Sequence, residues 1–265
     1  MELPLRYLIS LRRFWGTALA TQLEYQLNAL VELLAMAGNL AGSLLVLWLF
    51  YRQGVALGGW SWNAVLVVLG AYTCLDGLTS SLLRPNLSRI VSHVQEGTLD
   101  FVLLKPIDSQ FWLSLRTLSP AGLPELVVGL ALMLWAGRRE LGGLPLGAVG
   151  LAALLMLAAA LTLYALWFVL AATSIWFVKT WNATEVLRAA LTAGRYPVSA
   201  YPSGLRTLFT LVLPVAFLTT VPAEALLGRL SGAGALTSLL VAGVALAISR
   251  AFWGFALRHY TSASS

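Results

Sequence analysis

Apolar residues fill this chain in blocks too long for the core of a soluble domain. Leu141–Val178 runs 38 residues without a charged side chain, Gln53–Leu75 runs 23 and Leu230–Ser249 runs 20. About 18 or more such residues in succession read as a membrane-spanning helix. The pattern predicts six spans. They are Leu27–Phe50, Trp62–Leu83, Leu113–Trp135 (interrupted by Pro120 and Pro124), Leu146–Phe177, Leu205–Thr220 (with Pro214 inside) and Ala235–Phe255. Trp and Tyr near many of these ends suit interfacial anchoring. Before the first span, residues 1–25 carry Leu5, Leu8 and Ile9 among Arg6, Arg12 and Arg13, with no continuous apolar stretch. That predicts a retained amphipathic helix on the membrane surface, since a cleavable signal needs an apolar centre of 7–15 residues.

One segment between the spans has a different period. Leu87, Ile90, Val91 and Val94 fall on one helical face, and Ser88, Arg89, Ser92, His93 and Gln95 on the other. Asn86 is placed to start this helix and Gly97 to end it, giving about ten residues. A helix of that length cannot span and is expected to lie flat at the membrane face. A plain interfacial connector and a docking element for a partner both fit the pattern.

Composition agrees with the pattern: 59% of residues are apolar and only 11% charged, where an ordinary soluble domain has roughly 25% charged. A soluble enzyme, a disordered chain and a nucleic-acid-binding domain are thereby excluded, and the net charge of +6 reads as topology. With six spans, 13 of the 17 Lys and Arg fall on the side of both termini, against Arg52, Arg138, Arg139 and Arg229 on the other. The positive-inside rule then puts both termini in the cytoplasm.

Candidate chemistry within the chain is sparse. His93 and His259 stand far apart and Cys74 is the single cysteine, so no zinc set of four close ligands can be assembled. The only lysines, Lys105 and Lys179, do not follow glycine, so there is no phosphate-binding Gly-Lys-Ser/Thr turn. Any ATP hydrolysis must belong to another chain. Glu32, Asp76, Glu125 and Glu224 are spread one per element. An ionisable residue inside a span is a functional candidate, although a local hydrogen bond explains each as well. Trp167, Phe168, Trp176, Phe177 and Trp181 cluster near the end of the fourth span, which suits anchoring better than a substrate path.

A resemblance enters at the first inner loop. Glu96-Gly97-Thr98-Leu99-Asp100, followed by Leu103-Leu104-Lys105-Pro106, is similar to the E-G-T-L-D…L-L-[RK]-P signature of type-2 ABC transporter permeases. The branch of small bacterial exporters of about 260 residues fits best. Tyr196-Pro197, Tyr201-Pro202, Leu213-Pro214 and Val221-Pro222-Ala223 resemble its fifth-span region, and Leu257-Arg258-His259-Tyr260-Thr261-Ser262-Ala263 its C-terminal tail. Asp108 departs from the pattern.

The resemblance implies an all-α integral membrane protein, a single permease domain over 1–265 with an amphipathic helix at 1–25 and a coupling loop at 84–108. It also implies a permease dimer (same or related chain) and two separate ABC ATP-binding subunits carrying ATP and Mg, with no cofactor in this chain and no nucleic-acid partner. Localisation in the bacterial inner membrane follows. The residues expected to couple to the ATPase are Arg89, Ile90, Val91, His93, Val94, Glu96, Gly97, Thr98, Leu99, Asp100, Lys105 and Pro106. Asp100 is expected to cap the next helical segment, and Pro214, Pro222 and Glu224 to contribute to a gate. The competing reading is a non-transporting membrane scaffold within a larger complex.

Overall fold

The computed structural model describes residues 11–12, 14–16, 26–177 and 187–261. The described chain is helical throughout, without strands. Helix α1 is Gln26–Arg52. Helix α2 (Trp62–Leu78) passes through a wide π turn, Thr79–Leu83, into α3 (Arg84–Gln95). Two short helices follow, α4 (Leu99–Leu103) and α5 (Ser109–Leu115). Then come α6 (Leu123–Leu141), α7 (Leu146–Ala172), α8 (Ser203–Thr207), α9 (Val221–Leu226) and α10 (Gly232–His259). Five helical stretches are long and apolar enough to cross a membrane, and a sixth candidate is a bent pair. The protein is an all-α integral membrane protein. Most of the predicted N-terminal amphipathic helix, including Leu5, Arg6, Leu8, Ile9 and Arg13, lies outside the described residues, as does Trp181.

The core has two stacked parts. At one end Trp60, Leu69, Met133, Leu155 and Leu226 are buried together. At the other, Leu87, Leu99, Trp112, Phe168 and Trp253 are buried together. We call these the Trp60 end and the loop end. Trp167 and Phe168 are core residues of the loop end, whereas Phe177 is exposed.

The tightest contact joins α2 to α6, and glycine makes it possible. Gly70 and Gly77 face Gly122 and Gly129 with the same seven-residue spacing on both sides. A methyl group on Gly129 would lie 2.2 Å from the Cys74 nitrogen, and one on Gly77 2.3 Å from the Leu126 nitrogen. Small residues at such seams let helix backbones approach closely in a bilayer, where packing and not hydrophobicity drives association.

Several boundaries differ from the sequence reading, each for a local reason. The second span does not stop at Leu83 but continues as helix to Gln95, because the wide turn at Thr79–Leu83 accommodates Pro85, which has no N–H to donate. Asn86 is therefore no cap. Its amide donates to the carbonyls of Leu82 and Thr117 (2.7 and 2.6 Å), and its Oδ1 accepts from the Thr117 N–H (2.8 Å). The third span begins at Pro120 and not Leu113, since Pro120 and Pro124 favour first-turn positions. Gly228, at φ 66°, ends α9, while Ser231 caps α10 by accepting from the Gly234 N–H at 3.1 Å.

The fifth span is the largest correction. Ser203–Val212 and Ala216–Leu226 are bent 77° relative to one another, with Pro214 in the break. Both flanks of this pair rest on one residue. The Trp60 indole N–H donates to Ser199 Oγ (3.0 Å), and the Arg229 guanidinium lies 5.6 Å from the Trp60 ring. Segment 203–226 therefore enters and leaves at the Trp60 end and is re-entrant. Helix α7 finishes at the loop end, where Trp176 packs on Phe252 and Phe255. Leu187 packs in the loop-end core and Ser199 meets Trp60, so residues 187–199 lead from one end to the other. Arg206, which donates to the Ser199 carbonyl at 2.9 Å, belongs to the Trp60 end, and Arg195 lies within that stretch beside Tyr72. The excess of cations at the loop end narrows but keeps its direction.

Candidate functional site

The loop end is built around the stop of α3. Gly97 takes φ 67°, its N–H bonds to the Val94 carbonyl (3.3 Å), and the Thr98 N–H bonds to the His93 carbonyl (2.9 Å). This is a Schellman stop, in which a left-handed glycine closes the helix. A 2.7 Å hydrogen bond between His93 Nδ1 and Thr98 Oγ1 locks the reversal. The chain then turns directly into α4. Thr98, not Asp100, occupies the cap position. Asp100 lies in the first turn of α4 and faces Tyr260, whose phenol burial and the Asp100 charge hold above its ordinary value.

The predicted coupling residues divide into three groups, with Asp100 among the half-buried ones. Ile90, Val91 and Leu99 are buried, at 0%, 3% and 0% exposure. They support the loop from within and cannot offer a surface, which corrects their expected role. His93, Val94, Gly97 and Thr98 are half-buried. Arg89, Glu96, Lys105 and Pro106 are exposed. Beside them stand Phe101 (69% exposed) and Leu104 (81% exposed). Neither is among the residues expected to couple, and Leu104 enters only as part of the motif. The three-residue spacing of Leu99 and Val102 was the available signal: those two are buried, while Phe101, Leu103 and Leu104 are exposed. The result is an exposed apolar step edged by charge.

Trp112 carries this step. It is 7% exposed, with the Lys105 ammonium 5.4 Å from its ring, the Arg116 guanidinium at 4.5 Å and the His93 ring at 5.9 Å. Helix α5, which bears Trp112, is fastened to α7 and α10. Gln110 and Ser114 share hydrogen bonds with the Tyr164 hydroxyl (3.1 and 2.9 Å), and the Trp253 indole donates to Ser109 Oγ (3.0 Å). Trp15 adds a donor to the Leu115 carbonyl at 3.0 Å. A force on the step therefore reaches two spans through short, directional contacts.

Asp108, the departure noted above, has two structural tasks here. Its Oδ1 accepts from the Phe111 N–H (2.9 Å), capping α5, and its Oδ2 pairs with Arg250 of α10 at 2.6 Å. Burial raises the carboxyl, but the Arg250 hydrogen bond, the Phe111 N–H and the Arg250 charge outweigh it. Asp108 is held below the usual carboxylate range. A lowered folded-state value means the contribution is complete above the unfolded value of about 3.9. It is lost as pH falls through the lower folded value. Arg250 is 62% exposed, so solvent limits the pair to about 1 kcal/mol or less. Asp108→Asn keeps a good cap and removes the charge. Its thermal midpoint should sit slightly below wild type at pH 7, and the difference should shrink as pH falls below about 4 and vanish once the folded carboxyl is protonated. A gap unchanged by acid would contradict the assignment.

A second polar feature lies between α1, α2 and α6. Residues the sequence scatters over three elements, Glu32, Asp76 and Glu125, line one open cleft of about 420 Å³ together with Arg84 and Arg188. Asp76 of α2 and Glu125 of α6 line it from the two sides of the glycine seam. Arg195 donates to Asn39 Oδ1 (2.8 Å) and lies over the Tyr72 ring at 5.0 Å. The Tyr72 hydroxyl is 3.3 Å from Asp76 Oδ2. Among the described residues no group of three or more His, Cys, Asp and Glu side chains could hold a metal ion.

The predicted gate residues fall on the re-entrant segment. Pro214 is at its bend, Pro222 is buried in the first turn of α9, and Glu224 is half-buried near its end. Glu140 and Arg229 form a 2.8 Å ion pair where the segment leaves the Trp60 end.

No curated protein and no solved structure matches the chain. Residues 37–264 match the family model described as ABC-2 family transporter protein, a stretch that begins within α1 and takes in the loop, most of the cleft lining and the re-entrant segment. By that match the chain belongs to the ABC-2 transporter family and is a membrane-spanning transport component.

Proposed function

We propose that this chain is the permease subunit of an ATP-driven exporter, acting as one half of a permease pair above two separate ATP-binding subunits. In this reading the loop end and both termini face the bacterial cytoplasm, and the membrane is the inner one. The observation that carries the proposal is the exposed step of Phe101 and Leu104, flanked by Arg89, Glu96 and Lys105 and anchored through α5 to two spans. Charged residues at that density suit a protein partner better than lipid tails. Burying one large apolar side chain contributes about 1.5–3 kcal/mol to a contact. Closure of the ATP-binding subunits would push on the step, and α5 would pass the motion to α7 and α10. The cleft then lines the path from the cytoplasmic side, and the re-entrant segment closes it at the far side.

The test is co-expression of the full chain with candidate ABC ATP-binding subunits from the same genome, followed by purification on a tag carried by the permease. The expected result is a stable complex whose ATP hydrolysis and vesicle transport need both chains. Purification of the permease without any ATP-binding subunit would favour the scaffold reading.

A further inference from the structure

We propose that a small cavity between α2 and the re-entrant segment is a binding site for one water molecule, which latches the two together through Thr79, Thr219 and Asp76. The cavity measures about 10 Å³ and is lined by these three residues, Tyr72 and apolar side chains. That is close to the minimum a water needs, and a water also needs two to four polar partners.

Two hydroxyls supply the independent observation. Thr79 and Thr219 are each 2% exposed, and neither Oγ1 has a hydrogen-bond partner among the described residues. Thr73 and Thr162, elsewhere in the spans, bond back to the carbonyl four residues earlier at 2.8 and 2.9 Å. Both unpaired threonines lie in π turns, Thr79–Leu83 and Ala216–Thr220. Such wide turns occur preferentially at functional positions. A buried hydroxyl left unpaired is destabilising, and here two of them border the same space as a carboxyl acceptor. One water satisfies all three. A sodium ion suits the site less well, because the Arg195 guanidinium lies 5.0 Å from the Tyr72 ring and already places positive charge beside Asp76.

The latch sits just after the Pro214 bend. A bridging water holds nearly as well as a direct hydrogen bond and exchanges at little cost. The re-entrant segment can therefore release from α2 without breaking a fixed side-chain pair. This inference stands whether or not the chain transports anything.

The experiment is a thermal-unfolding cycle on the full chain in lipid nanodiscs. Thr79→Val and Thr219→Val keep shape and remove the hydroxyl. With a bridging water, each should lower the midpoint by about 2–4 °C, the double variant should lose less than the two single losses added together, and Thr→Ser at either site should behave as wild type. Without a water, valine relieves an unpaired hydroxyl. A raised midpoint or strictly additive losses would therefore overturn the proposal. Exchanging sodium for potassium at fixed ionic strength should leave the midpoint unchanged, and a sodium-dependent midpoint would overturn water as the ligand.

Discussion

Leucine at Gly77 or Gly129 is expected to abolish recovery of folded protein, while leucine at Gly243 is expected to be harmless. At both seam positions the first added carbon meets backbone atoms of the facing helix, 2.3 Å away at Gly77 and 2.2 Å at Gly129. Backbone cannot rotate aside as a side chain can, so α2 and α6 must separate along their whole contact. Overpacking in a flexible core costs typically about 1–3 kcal/mol. A clash with backbone on both sides should exceed that range. The damage would spread, since the seam also positions Asp76, Glu125 and the Met133 layer of the Trp60-end core. Gly243 lies on an exposed face of α10 with nothing within 4 Å of an added carbon, and leucine is the better helix former there. Fluorescence-detected size exclusion of the three variants reads the outcome. A monodisperse Gly129→Leu with the parental thermal midpoint would show that α2 and α6 are not packed as described.

The second large effect is functional. Leu104→Glu and Phe101→Glu should each reduce ATP-driven transport at least tenfold while moving the thermal midpoint little, because both side chains are exposed in the isolated chain. A carboxylate buried against an apolar partner surface must be desolvated without compensation. Truncating an interface anchor commonly costs 2 kcal/mol or more. Ile90→Ala should behave in the opposite way. That side chain is fully buried, and its loss should cost about 2–5 kcal/mol of stability, with transport falling only as folded protein falls. Measuring midpoint and transport rate for all three separates the docking surface from its support. Unchanged transport in both glutamate variants would remove the step from the coupling contact.

The contrast between these two kinds of position shows what the sequence could and could not display. Leu87, Ile90, Val91 and Val94 announce a helix by their period, and Gly97 announces its end; both are local signals and both hold. Period alone does not say whether an apolar face meets a partner or its own protein, and here α7 and α5 cover it. Segment 205–220 has the composition of a span, and nothing local distinguishes a span from a re-entrant pair of the same length. What decides it is Trp60, 139 residues from Ser199 in sequence. Asp76 and Glu125 look isolated because the seam that joins them rests on glycines whose spacing matters only once α2 and α6 are known neighbours. Asp108 is an anomaly when compared with a motif. It becomes intelligible only beside Arg250, 142 positions later.

The central claim is that the loop end, and not the Trp60 end, meets the ATP-binding subunit. Site-directed cross-linking in native membranes tests it most directly. In a Cys74→Ala background, Leu104→Cys and Leu146→Cys place single thiols at opposite ends of the protein, on side chains 81% and 89% exposed. With a short thiol-to-amine cross-linker, Leu104→Cys should give a covalent product containing the ATP-binding subunit, and Leu146→Cys should give none. A product from Leu146→Cys alone, or none from Leu104→Cys while the complex still co-purifies, would contradict the account.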